Sequence, residues 1–204
     1  MSRYPIPAEA CRTKEEIERS RFITTDAPAP NIEAAHDFIE RVRAEFPDAT
    51  HNCWAYVVGP PGSTTRIGMS DDGEPHGTAG RPMLTALLHG GVGDVAAVVT
   101  RYYGGIKLGT GGLVRAYGGC LQRALLELPR AERVDWVTLH ALVGYADVAT
   151  VRQLVAAHAG VVEHEEFAAD VTYTVRLPAT DVDRFTAALR DATRGSAIVE
   201  VRNG

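Results

Sequence analysis

Long apolar runs are missing from this 204-residue chain. The longest, such as Val95–Val99, fall far short of the roughly 20 residues that cross a bilayer as a helix. The opening MSRYPIPAEACR has no apolar leader, so a cytoplasmic protein with no membrane partner is expected. Cysteine is scarce: Cys11, Cys53 and Cys120 are odd in number, widely separated and free of any C-x-x-C spacing. That excludes a disulfide framework and a zinc knuckle and leaves reduced thiols, with Cys53 and Cys120 packed as small hydrophobes. Acid is absent between Asp94 and Glu127, where the only charges are Arg101, Lys107, Arg115 and Arg123, although the whole chain carries a net charge of −5. The total argues against a broad polyanion binder, whereas the local gap suits phosphate or another anion.

What is present is enough hydrophobic residue, 45%, to bury a real core in one large domain or two small ones. Residues 11–27 read as a hairpin of two edge-like strands. After APAP, Asn31 caps a helix over 32–46 whose Ile32, Ala35, Phe38, Ile39, Val42 and Phe46 share one face. NCWAYVVG at 52–59 is a buried strand, with a short strand at 65–69. A helix over about 80–89, with Thr78 as its cap, precedes a central strand from Val95 to Tyr103 and a helix over about 111–128. Past Pro129 glycine falls away and the balance turns acidic. The pattern there is strand 134–144, helix 147–159, strands 161–167 and 170–177, helix 181–193 and strand 196–202, the split βαβ ferredoxin-like order. The fold class is therefore α+β, with domains at 1–131 and 132–204.

More than half of the 20 glycines lie between Ser70 and Leu128, which marks unusual backbone angles or close approach to another group. Within this stretch YGGIKLGTGGL joins a strand to a helix, the setting in which backbone N–H groups and a helix dipole bind anions. It is not a Walker loop, because Lys107 precedes Leu108-Gly109, and it is not a dinucleotide fingerprint, because Val114 stands where glycine is required. A general anion nest remains, made of Arg101, Tyr102, Gly104, Gly105, Lys107, Gly109, Gly111, Gly112 and Arg115, set against a purely structural turn. In SDDGEPHGTAG, Asp71, Asp72 and Glu74 have the oxygen ligands for a hydrated Mg²⁺, or simply cap turns and helices; otherwise no cofactor is expected. His76 reads as a solvated loop histidine. His51 and Cys53 share a strand face, a thiol beside a base, without an evident oxyanion hole. Tyr102 and Tyr103 point to opposite faces, one of them toward the core, and can otherwise stack on bases.

The residues SDDGEPHGTAGRPML, VVTRYYGGIKLGTGGLVRAYGG, KEEIERSRFI and TRGSA resemble the YigZ/IMPACT family over essentially the whole chain. The resemblance implies a first domain with the α+β fold of elongation factor G domain IV and a ribosomal protein, and a ferredoxin-like second domain. It also implies a translation-linked role. No catalytic residues follow from it. Three functions are weighed: an RNA- or ribosome-binding protein using the basic glycine-rich surface; an enzyme or sensor of a phosphorylated small molecule with Mg²⁺; and a module with a protein partner.

Overall fold

Cys11–Ile17 (β2) alternates half-buried and exposed residues along its length, as a strand with one face on a core does. The chain turns through Glu18 and Arg19, both at positive φ (46° and 61°), into Ser20–Pro28 (β3). Two successive left-handed residues give the turn whose twist matches that of the strands it joins. The computed structural model describes residues 3–202. Only β2 is an edge. Contrary to the expected pair of edge strands, β3 also pairs with Val95–Tyr102 (β6), from Arg21 opposite Tyr102 to Pro28 opposite Val95. His51–Val57 (β4) and Ile67–Ser70 (β5) complete an antiparallel sheet in the order β2-β3-β6-β4-β5.

Alternation along β6 divides two cores. Ala96 and Val98 face Ile32–Glu45 (α1), which buries Ala35, Phe38, Ile39 and Val42 there. The Asn31 side chain accepts from the Ala34 N–H at 2.7 Å, which is the expected cap. Val95, Ala97 and Val99 face Gly80–His89 (α2) and Gly109–Glu127 (α3), with Phe22, Cys53, Met83, Leu87, Tyr117 and Leu121 between them. Each such side chain contributes about 1.5–3 kcal/mol by leaving water, which is how glycine-rich segments can be held in place by helices on either side.

Two strands were not expected from the sequence. Arg3–Pro7 (β1) pairs with Arg130–Val134 (β7), which precedes the expected strand 134–144, observed as Trp136–Val143 (β8). Buried Asp94 ties this ribbon down: it accepts from Tyr4 Oη at 2.8 Å, the Gly59 N–H at 2.7 Å and Arg133 at 2.6 Å.

Clustering of contacts divides the chain into Tyr4–Arg133 and a unit from Val134 onward that also takes Arg3. The second unit runs β8, Val148–Ala157 (α4), Val161–Phe167 (β9), Val171–Pro178 (β10), Val182–Ala192 (α5) and Ile198–Arg202 (β11). Its antiparallel order β11-β8-β10-β9 is the split βαβ arrangement, packed on Leu139, Val151, Tyr173, Phe185 and Leu189. The fold is α+β, as expected. No helix among the described residues is long and apolar enough to cross a membrane.

Candidate functional site

The acidic turn leaves β5 and must deliver the chain into α2, whose first N–H groups have no partner within the helix. Asp71 supplies it from outside. Its Oδ1 accepts from the N–H of Ala79 (3.0 Å) and Gly80 (2.9 Å), and Oδ2 from that of Gly77 (2.7 Å). Burial acts to raise the Asp71 pKa, but the three N–H bonds outweigh it and hold the carboxyl below its ordinary value. The expected cap, Thr78, instead donates its hydroxyl to the Pro75 carbonyl at 2.6 Å. Asp72 accepts from the Asn52 N–H (2.6 Å) and from Arg43 (2.8 Å), with φ at +42°. Glu74 is buried, and its Oε1 accepts from Arg101 (2.6 Å) and from Tyr117 Oη (2.8 Å).

The Mg²⁺ expectation is corrected by this geometry: the three carboxylates engage a helix start, a strand and a buried guanidinium, and do not form one donor set. Among the described residues no group of three or more His, Cys, Asp or Glu could hold a metal ion. The thiol-base pair does not form either. Cys53 is buried, donates to the Asp71 carbonyl at 3.0 Å, and has its thiol pKa pushed up by burial, so it is not a thiolate. His51 Nδ1 bonds the Asp72 carbonyl oxygen at 2.8 Å, with Nε2 3.9 Å from Glu74. His76 is fully exposed, as expected.

The basic strand end departs further from expectation. Arg101, expected as a phosphate contact, is only 5% exposed. It pairs with Glu74, reaches Ser20 Oγ at 3.3 Å and stands 5.5 Å from the Phe22 ring centroid, while its Nε has no hydrogen-bond partner. Tyr102 leaves the site altogether. It lies on the opposite sheet face, donating to Asp48 at 2.8 Å with the Arg21 guanidinium 4.2 Å over its ring. Neither it nor Tyr103, which is 47% exposed, enters the core; of the tyrosines near the basic residues it is Tyr117 that does. Gly104 crosses the β2–β3 turn so closely that a Cβ there would stand 1.9 Å from the Arg19 carbonyl oxygen, which only glycine permits. Gly105 follows in the loop. Gly109, at φ +68°, begins α3, and Gly111 and Gly112 lie in its first turn.

Between the Pro75 turn, the end of β6 and the start of α3 opens a cleft of about 360 Å³. Its walls include Glu74, Pro75, Arg101, Tyr103, Lys107 and Leu108, with Gly109 and Thr110 at the helix start. α3 has no side-chain cap and no acid in its first turn, so the positive end of a 19-residue helix, at Gly109 and Thr110, borders this space without a protein anion to offset it. Lys107 and Leu108 also border a second cleft of about 560 Å³ that contains Arg115 and Arg123. Arg123 is ion-paired with Glu15. Arg115 therefore belongs to the neighbouring cleft and not to the one beside Arg101. The acidic turn and the basic loop do meet, through the Glu74–Arg101 pair, a junction between residues 27 positions apart that spacing alone does not reveal.

The cleft beside Arg101 falls within residues 18–125, which match the family model of the Impact N-terminal domain. Residues 142–196 match a domain of unknown function, DUF1949. The chain is 45% identical over 196 residues to the IMPACT family member YigZ of Escherichia coli (strain K12), covering 96% of each. It is 33% identical over 197 residues to the IMPACT family member YvyE of Bacillus subtilis (strain 168), covering 97% of this chain and 90% of that protein. A crystal structure described as that of a hypothetical protein is 44% identical and superposes with a TM-score of 0.68 over 100% of this chain and 98% of that one. With both halves matched in order and its relatives aligned nearly end to end, the chain belongs to the IMPACT family.

Proposed function

We propose that this chain is a cytoplasmic, translation-linked protein that binds RNA or the ribosome through the surface at the start of α3. One observation carries the reading: an uncapped 19-residue helix opens on a cleft beside Lys107, whose side chain makes no ion pair among the described residues, with Arg115 in the adjoining cleft. Positive helix ends and free cations are how proteins hold backbone phosphate, and the exposed Tyr103 ring offers a base a stacking face. The net charge of −5 repels polyanions elsewhere and confines contact to this surface. Family membership supports the translational link, since the resemblance points to translational control. The carboxylates of the acidic turn take structural roles, which favours this reading over a Mg²⁺-dependent enzyme.

Affinity for RNA is expected to fall steeply as salt rises, with Lys107→Ala and Arg115→Ala each lowering the slope of log affinity against log salt by about one. Salt-independent affinity, unchanged in both variants, refutes the proposal. Arg101 is unsuitable for this test, because removing it strips Glu74 of its partner.

A further inference from the structure

We propose that the groove between α2 and α3 docks an acidic amphipathic helix of a partner protein, with an apolar side chain of that helix seated against Leu126. The groove is separate from the cleft beside Arg101, and its assignment does not depend on the RNA-binding reading.

Shape comes first. α2 and α3 lie side by side in the same sense: Gly118 packs against Pro82 near the start of α2, and Gly90, just past its end, packs against Leu125. Along them runs a cleft of about 460 Å³, continued by one of about 260 Å³ that shares Ala86 and Gln122 with it. From Val114 to Leu126 α3 rises about 18 Å, the length of about three turns of an incoming helix. The less exposed lining residues, Pro82, Ala86, Gly118 and Gly119, are all compact and let a helix axis approach to the usual distance of about 8–10 Å. Anchors stand at both ends. Leu126 is 83% exposed, more than any other large hydrophobic residue described, and Val114 is 40% exposed. One apolar residue in water needs no explanation, but two at the ends of one groove match the spaced contacts by which an amphipathic helix is held.

Charge fixes the sign of the partner. Arg81 and Arg115 border one cleft and Arg130 the other, and neither cleft has an Asp or Glu in its lining, although the chain carries a net charge of −5. Arg81 and Arg115 make no ion pair among the described residues. Arg130 donates to the carbonyls of Gly90 (3.5 Å) and Leu125 (3.2 Å), which position its guanidinium without cancelling its charge. An acidic face complements this rim. The lining also favours protein over RNA: it contains no Phe, Tyr or Trp on which successive bases could stack, and its compact apolar floor suits aliphatic side chains.

The test uses the full chain and three labelled, helix-forming peptides about 16 residues long, with leucine at i, i+3, i+4 and i+7 and with Glu, Gln or Lys at the flanking positions. Anisotropy is expected to show the Glu peptide binding roughly tenfold or more tighter than the Gln peptide, with the Lys peptide weakest. Arg81→Glu and Leu126→Glu should each weaken the Glu peptide roughly tenfold. Both positions are exposed, and an acid in the first turn of α2 is stabilising, so both variants are expected to fold, which circular dichroism checks. Arg41→Glu makes the same reversal on α1, on the other face of the sheet, and should leave binding unchanged. Equal binding of the three peptides, no binding of any, or an Arg41→Glu loss as large as that of Arg81→Glu overturns the proposal. So does Glu-peptide binding that survives both groove variants. A single-stranded RNA that binds at least as tightly as the Glu peptide and loses that affinity in Leu126→Glu overturns the choice of a protein partner.

Discussion

Asp26 is completely buried on β3, opposite Cys11 of β2 and Ala97 of β6, and neither carboxyl oxygen has a hydrogen-bond partner. Its neighbours on the same sheet face are Cys11, Thr13, Thr24 and Ala97, none of them a cation. Desolvation raises its pKa from 3.8 to about 8. The folded state therefore keeps a proton that the unfolded chain gives up between these values, and stability must fall as pH rises through that window. The slope is about 1.4 kcal/mol per pH unit, or about 4 kcal/mol between pH 4 and pH 7. Asp26→Asn supplies a neutral group of nearly the same shape at every pH and removes this slope. The variant is expected to be more stable than the parent by about 1–2 kcal/mol at pH 5 and by about 4 kcal/mol at pH 7. Urea unfolding at intervals from pH 5 to pH 8 measures it. A Trp136→Phe background leaves Trp54, in the same unit as Asp26, as the only tryptophan reporter. Contributions of all other groups cancel in the difference between the two proteins. Parallel pH profiles for parent and variant refute the reasoning.

Two further outcomes follow from the acidic turn. Arg101→Met leaves Glu74 as an unpaired buried charge and is expected to cost about 3–5 kcal/mol in urea unfolding, with much of the loss recovered by adding Glu74→Leu; a single-variant cost below about 1 kcal/mol contradicts a buried pair. Asp71→Ala removes the acceptor of three N–H groups and is expected to cost about 1–2 kcal/mol. Because the folded Asp71 pKa lies below 3.8, its stabilisation is complete above that value and disappears on acidification. The gap between parent and Asp71→Ala should therefore close in acid, and a gap that stays constant down to pH 3 counts against the capping role.

Most elements were legible because their signals are local. Asn31 before an amphipathic run, Gly90 after α2 and the apolar run of β6 each act within a few residues, and the structure places those elements within one or two positions of expectation. The ribbon of β1 and β7 was not legible, since RYPIP and RAERV become strands by pairing with each other across more than a hundred residues. Nor was it visible that Asp71 would cap a helix eight residues on, displacing Thr78.

For the site, the glycine-rich strand-loop-helix and its cations could be read from order and spacing, and by themselves they determined that an anion-binding surface was worth seeking. Tertiary structure decided which residues serve it. It sent Tyr102 to the far face, kept Tyr103 at the cleft, moved Arg115 to the neighbouring cleft and gave Arg101 an internal partner. The reason is physical: helix and strand preferences are set by neighbours in sequence, whereas the accessibility and charge balance of a side chain are set by whatever the fold brings against it. For Arg101 that is Glu74, 27 residues away, and for Glu74 it is also Tyr117, 43 residues away.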